Sequence, residues 1–509
     1  MTTSSYRVVI LFFGAVILTA CGGSESSNIG TSASAFGIEG TGGCDSVCSN
    51  RFPNPVPAIN AMTVLAPGDR YFQGASACVL VGTLDFTLSV FGTGFSTASV
   101  VEWNGSARPT TVVGNSANPI LSAQISAGDV AAAGSVAVTV SNPAPGGGRS
   151  NAAAFTIAAA GAGGGANSLA VDPTGQFAYA TIHDCSASSV GSGSVSIYRI
   201  DTTTGMLTSI GLVPSGDWGA NSIAITPDGR FAYVGNDSDS GDGSSLAGGV
   251  SLFTADSTTG ILTLTGFTPA PCDRGFCTPW SIAMHPSGRF LYVANEGGSA
   301  PNVSMYSIDA TTGNLTLIGL RGTGGRAESV AVDPTGAFAY VFNENYPGLT
   351  PSVAIFTINA TTGALTSVGT ITGDASPTSV TVDPAGKFAY VTNSGSNDVS
   401  MYAINMTTGT LSKIGQVAAG SSPVGAAVHP TGKFLYVTNS ASNDVSMYTR
   451  NATTGALTSI GRITAGIRPG AVTIDPTGNF VFVGDSNGVL SFRIDASTGA
   501  LTLVGTVGT

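Results

Sequence analysis

The sequence predicts an all-β protein, and three observations carry that prediction. Charged residues make up only 9 % of the 509-residue chain, where about 25 % is usual, while glycine alone supplies 70 positions. Short runs with an apolar residue at every second position recur between turn-forming clusters, which is the pattern of half-buried strands. From residue 166 onward, three markers repeat seven times in one order, as expected of a blade-type repeat. Hydrophobic residues reach 42 %, so disorder driven by charge and low hydropathy is excluded. The 18 basic against 29 acidic residues leave a net charge of −11 and no electrostatic footprint for nucleic acid.

At the N-terminus, Arg7 precedes an apolar run from Val8 to Ala20, followed by Cys21-Gly22-Gly23-Ser24. A run this short before small residues reads as a secretory signal over residues 1–20. The tetrapeptide Leu18-Thr19-Ala20-Cys21 resembles the lipobox of bacterial lipoproteins. That resemblance implies lipidation of Cys21 and anchorage in the outer membrane or at the cell surface. Residues 21–56 are rich in Gly and Ser without hydrophobic period and are expected to be a flexible tether reaching about 30–35 Å. Six further cysteines, Cys44, Cys48, Cys78, Cys185, Cys272 and Cys277, are even in number, which in an exported chain reads as disulfides. Cys272 with Cys277 is the expected local pair. The histidines, His183, His285 and His429, do not sit among cysteines at zinc spacing.

Residues 57–158 alternate as Phe86-Thr-Leu-Ser-Val90, Val136-Ala-Val-Thr-Val140 and Phe155-Thr-Ile157, which predicts a small β-sandwich. The segments Val90-Phe-Gly-Thr-Gly-Phe95, Val100-Val-Glu-Trp-Asn-Gly105 and Val140-Ser-Asn-Pro-Ala-Pro-Gly146 are similar to the IPT/TIG immunoglobulin-like domain. The resemblance implies a spacer or contact module with Trp103 in its core. Residues 159–165 then form a Gly/Ala linker, expected to be a flexible joint.

The first marker of the array is Asp172-Pro-Thr-Gly175, recurring up to Asp475-Pro-Thr-Gly478 with successive glycines 46 to 59 residues apart. Asp, Pro and Gly at these places are type I turn chemistry. The second is an aromatic in a Phe-Ala-Tyr-Val-Thr-Asn-like run: Tyr179, Tyr233, Tyr292, Tyr340, Tyr390, Tyr436 and Phe482. The third is a Thr-Gly turn ending at Gly205, Gly260, Gly313, Gly363, Gly409, Gly455 and Gly499. Four antiparallel strands per copy over 166–509 predict a seven-bladed β-propeller. Because every copy holds its four strands contiguously, ring closure is expected without a strand exchanged between chain ends.

Turns between strands one and two, and three and four, are uniform; the other connections vary and share one face. Variable loops on a rigid scaffold are where function concentrates. That face receives His183, Trp218, Asp237, Asp239, Asp242, Arg274, Trp280, Glu296, Arg326, Glu328, Glu344 and Tyr346. The expected gathering of charged and aromatic groups is therefore over blades 1 to 4. Hydrolysis of a carbonyl compound would need a base for water and a cation or donor for the oxyanion. Glu344, Glu296 and His183 are the candidate bases, and Arg326 or Arg274 the oxyanion partner. Trp218, Arg274, Trp280, Glu328 and Tyr346 are candidate ligand contacts. Asp237, Asp239 and Asp242 form a weak calcium pattern, one residue out of EF-hand spacing; no other cofactor is indicated.

The repeat, with Tyr390-Val-Thr-Asn393 and Tyr436-Val-Thr-Asn439 as literal instances, resembles the YVTN propellers and the lactonase family that includes phosphogluconolactonases. Members tend to carry histidine just before the first strand of certain blades and an acidic residue after the second. Glu296 and Glu344 match the acidic position. The pre-strand positions here are Asn167, Asn221, Trp280, Glu328, Thr378, Val424 and Gly470, with no histidine among them. The leading expectation is therefore a lipid-anchored, monomeric envelope protein that binds an extracytoplasmic protein or carbohydrate without catalysis. The alternative is a lactonase-type hydrolase at the variable-loop face. It predicts a concave pocket in which Glu344 or Glu296 lies within hydrogen-bond reach, directly or through one water, of His183 or Arg326.

Overall fold

The computed structural model describes residues 54–63, 78–115, 118–158, 165–183, 192–237, 248–271, 278–296, 302–344, 350–373 and 375–508. Two sheets form first: one joins the strands Ala58–Thr63, Phe86–Thr93, Asn118–Ile125 and Thr110–Asn115, the other centres on Ala153–Ala158, Gly134–Asn142 and Val100–Trp103. Their inner faces enclose one apolar core in which Trp103, 3 % exposed, packs on Phe155 at 4.8 Å between ring centroids. The β-sandwich and the core role of Trp103 agree with the alternating pattern of the sequence.

Seven four-stranded antiparallel sheets follow, each from contiguous strands. Blades 1 to 7 begin with first strands Ala166–Val171, Ala220–Ile225, Thr278–Met284, Arg326–Val332, Pro377–Val382, Pro423–Val428 and Val472–Ile474. The blade 7 sheet is completed by its own fourth strand, Leu501–Gly508, so the ring closes without strand exchange, as expected.

One joint is repeated around the ring. The Phe opening the second strand of each blade lies against the Thr-Gly turn of the next: Phe177 on Gly260, Phe231 on Gly313, and so on to Phe434 on Gly499 and Phe480 on Gly205. At Gly363 the backbone has φ +73°, and a Cβ would run into the Phe290 ring, so only glycine allows this approach. Two residues on, the strand's tyrosine donates its hydroxyl to the same glycine carbonyl, as in Tyr292 to Gly363 (2.9 Å), Tyr390 to Gly455 (2.9 Å) and Tyr436 to Gly499 (2.9 Å). Phe482 cannot donate, so the blade 7 to blade 1 joint keeps the ring contact and lacks the hydrogen bond.

The sandwich rests on the outer strand of blade 1. The Leu84 N–H donates to the Leu212 carbonyl at 2.8 Å, and Leu80, Ile182 and Leu212 form a small apolar cluster. Gly211 is the close-approach point, because a side chain there would meet Leu84. The expected joint over 159–165 falls almost wholly outside the described residues, but the sandwich is fastened to the propeller beside it.

Candidate active site

Six of the seven positions read as preceding the first strands lie inside them, which corrects the sequence reading; Gly470 does precede the first strand of blade 7, Val472–Ile474. In blades 1 to 5 the first and second strands pair with a register shift at one residue: between Ala166 and Ser168, Ala220 and Ser222, Pro279 and Ser281, Ala327 and Ser329, and Pro377 and Ser379. Blade 6 shifts between Pro423 and Ala426. Asn167, Asn221, Trp280, Glu328, Thr378 and Val424 are thus β-bulge residues. A bulge leaves one residue unpaired and re-aims its side chain, here toward the propeller axis.

These six residues, with Gly470 of blade 7, line a central cavity of about 520 Å³. The bulges also tie blades together. The Asn167 amide donates to the Ala220 carbonyl (3.1 Å), Asn221 to Pro279 (3.2 Å), and the Thr378 hydroxyl to Pro423 (2.8 Å), each on the next blade. Trp280 keeps 43 % of its surface exposed, so its ring is a free wall of the cavity. Glu328 supplies a carboxylate on the adjacent blade.

Arg326 and Glu296 form an ion pair across the boundary of blades 3 and 4, with side chains 31 % and 14 % exposed. A partly exposed pair adds little stability; its effect is to fix the guanidinium two residues from Glu328. Glu344 ends the second strand of blade 4 directly opposite Arg326 in register. The structure therefore brings Glu296, Arg326 and Glu328 to one sector, with the backbone of Glu344 beside them. Glu296 thus lies within reach of Arg326, while Glu328, and neither of these two, is among the residues lining the cavity.

Blade 7 contributes Arg468 and Asp485 to the same lining, which sequence reading missed. The Asp485 carboxylate accepts the Ile467 and Asn487 N–H groups at 2.9 Å each. Arg468 is exposed, in a left-handed backbone conformation with φ 52°. The available signal was Asp485 standing where blades 2 to 6 have Asn. Charged groups at the cavity are thus not confined to blades 1 to 4.

The description of the lactonase seven-bladed β-propeller family matches this chain in overlapping stretches, 133–280, 214–332, 273–372, 321–472 and 425–508. The chain belongs to this family. Two proteins named 6-phosphogluconolactonase are similar to it. One, from Formosa agariphila, is 38 % identical over 64 residues, 12 % of this chain and 18 % of that protein. The other, from Pectobacterium carotovorum, is 30 % identical over 155 residues, 29 % of this chain and 40 % of that protein. Both matches cover less than half of those relatives' lengths. Among solved structures, the Pseudomonas aeruginosa periplasmic gluconolactonase superposes with a TM-score of 0.51 at 19 % identity, over 66 % of this chain and 93 % of that one. Kuenenia stuttgartiensis hydrazine synthase reaches 0.50 at 18 % identity, over 66 % and 96 %. At such identities the likeness concerns the fold, which hosts unrelated chemistries.

The other expected site residues of this lactonase-family propeller distribute as follows. His183 ends the second strand of blade 1, in register with Gly193. Trp218 ends the outer strand of that blade opposite Ser192 and is not on the bulge ring. Asp237 accepts the Thr278 hydroxyl at 2.8 Å, which fastens blade 2 to blade 3. Cys21, Asp239, Asp242, Cys272, Arg274, Cys277 and Tyr346 lie outside the described residues. Among the described residues no group of three or more metal-ligating side chains occurs.

His285 and His429 stand in the uniform turns at the far end of the strands, 7 % and 6 % exposed. Each Nδ1 accepts a backbone N–H two residues on, at 3.1 Å. The proton therefore sits on Nε2, which donates to Gly336 or Gly478 of the next blade at 3.0 and 2.9 Å. Both are blade-to-blade ties.

Proposed function

We propose that this family member hydrolyses a sugar lactone in the central cavity, at the sector formed by blades 3 and 4. The observation that carries the reading is the juxtaposition of a cavity carboxylate, Glu328, with the Arg326–Glu296 pair on the neighbouring strand ends. Water attacks the lactone carbonyl carbon while Glu328 takes its proton; this kind of catalysis is worth about 10²–10⁴ in rate. The carbonyl oxygen becomes an oxyanion beside the Arg326 guanidinium, which Glu296 holds in place. Collapse breaks the ring C–O bond, and the ring alkoxide receives the proton from Glu328, leaving the open aldonic acid. The names of the relatives support a lactone as the substrate.

Lactone turnover by the purified protein, lowered about 100-fold or more in Glu328→Gln with the fold intact, is the expected result. Turnover unchanged in that variant removes Glu328 from the role of base. Absence of turnover favours a second reading, binding without catalysis, which rests on the absence of histidine from all seven ring positions. In either reading we place the protein at the cell envelope, tethered through Cys21, with the sandwich as an IPT/TIG-type spacer. Incorporation of labelled fatty acid, abolished by Cys21→Ser, tests that placement.

A further inference from the structure

We infer that the cavity takes an uncharged sugar ring seated on Trp280 and discriminates against its phosphorylated form; this rests on the lactone reading above and deepens it to a substrate class. The argument begins with what the ring of bulges offers. Five of its seven positions are Asn, Asn, Thr, Val and Gly, groups that bond to hydroxyls or merely leave room. The sixth is Trp280, a large aromatic left 43 % exposed inside a concave wall. An aromatic this open inside a concave wall marks a contact surface. The flat C–H face of a pyranose suits it, while the ring's hydroxyl edge suits the amides and the Glu328 carboxylate.

Thr378, Val424 and Gly470 of blades 5 to 7 contribute small side chains to the rest of the lining. That leaves space in the cavity beside the indole for a sugar ring.

Charge sets the discrimination. The charged residues lining the cavity, among those described, are Glu328, Asp485 and Arg468, two carboxylates against one cation. Arg326 nearby is already paired with Glu296, and the whole chain carries −11. A phosphate dianion is normally held by several cationic or N–H donors, and a site biased negative repels it. A neutral lactone meets no such penalty.

The test uses the purified full chain and a stable ring, D-glucono-1,5-lactam, with its 6-phosphate as the charged counterpart. Calorimetry is expected to show the neutral lactam binding about 10-fold or more tightly than its phosphate, a difference of about 1.4 kcal/mol. Trp280→Ala is expected to weaken lactam binding about 10-fold or more, and Trp280→Phe to retain affinity within about 3-fold, since a ring still faces the sugar. Tighter binding of the phosphate, or affinity indifferent to Trp280→Ala in protein that melts normally, overturns the inference. Absence of binding by either lactam overturns it too. The two readings fail separately. Trp280-dependent lactam binding without lactone turnover sinks only the hydrolase, and turnover insensitive to Trp280→Ala sinks only the seat.

Discussion

In blades 3 and 4 the bulged position of the first strand holds Trp280 and Glu328; in blades 5 and 6 it holds Thr378 and Val424. Strand order, turns, the Phe–Gly joint and the tyrosine hydroxyl bond are otherwise the same in both pairs. A repeat scaffold therefore separates two tasks within one strand. Residues in register with the second strand hold the blade, and the one residue that the register shift leaves out of the ladder varies from blade to blade. The cavity gains a chemically active wall and a small-residue wall without any change in backbone plan.

The sharpest way to break this comparison is at its charged member. Glu328→Gln is expected to lower lactone turnover about 10²–10⁴-fold, whereas Thr378→Ala, its counterpart in blade 5, should leave turnover within about 3-fold; steady-state kinetics on both variants decides. Equal effects would mean that the asymmetry of the ring has no catalytic meaning. Next in size is Arg326→Ala, expected to cost about 10²–10³ in kcat by loss of oxyanion stabilisation. Glu296→Gln should cost less, because the guanidinium remains and only its anchor is lost.

The structural half of the comparison predicts equality. Gly363→Ala in blade 4 and Gly455→Ala in blade 6 both place a methyl against a Phe ring at positive φ. Each should destabilise by about 2–4 kcal/mol, read as similar falls in melting temperature. A large difference between them would show that the joints are not equivalent.

The smallest effect concerns the tyrosines. Tyr292→Phe and Tyr390→Phe should each cost about 1 kcal/mol at neutral pH, reproducing the joint that Phe482 already makes between blades 7 and 1. Burial pushes both phenols above their ordinary value. The folded ring holds these protons where the unfolded chain ionises, so their contribution is complete below about pH 10 and is lost as pH rises further. The Phe variants should accordingly lose less stability than the parent between neutral pH and about pH 11, followed by denaturant unfolding at each pH.

The ring architecture was legible because each joint is local chemistry repeated. Asp-Pro-Thr-Gly makes a turn by itself, the Thr-Gly turn needs glycine for a Phe to approach, and alternation assigns the buried face. Seven copies make the sum unambiguous, and contiguity of each copy foretold closure without exchange. The site was legible only in part. Glu296, Arg326, Trp280 and Glu328 stand out in a chain with 9 % charge, but the repeat pattern does not separate their roles.

What the sequence alone determined is therefore the kind of molecule: a sandwich, seven contiguous blades and a neutral surface supplied by turn residues. What the tertiary structure decided is which odd residues share a cavity. A register shift of one residue turns Trp280 and Glu328 toward the axis, and nothing in a single strand's pattern announces it. Closing the ring then brings Arg468 and Asp485 of the last blade to residues more than 100 positions earlier. Strand identity follows from local pattern. A bulge depends on pairing with a neighbour, and a shared cavity depends on closure, so both exist only once the whole ring is folded.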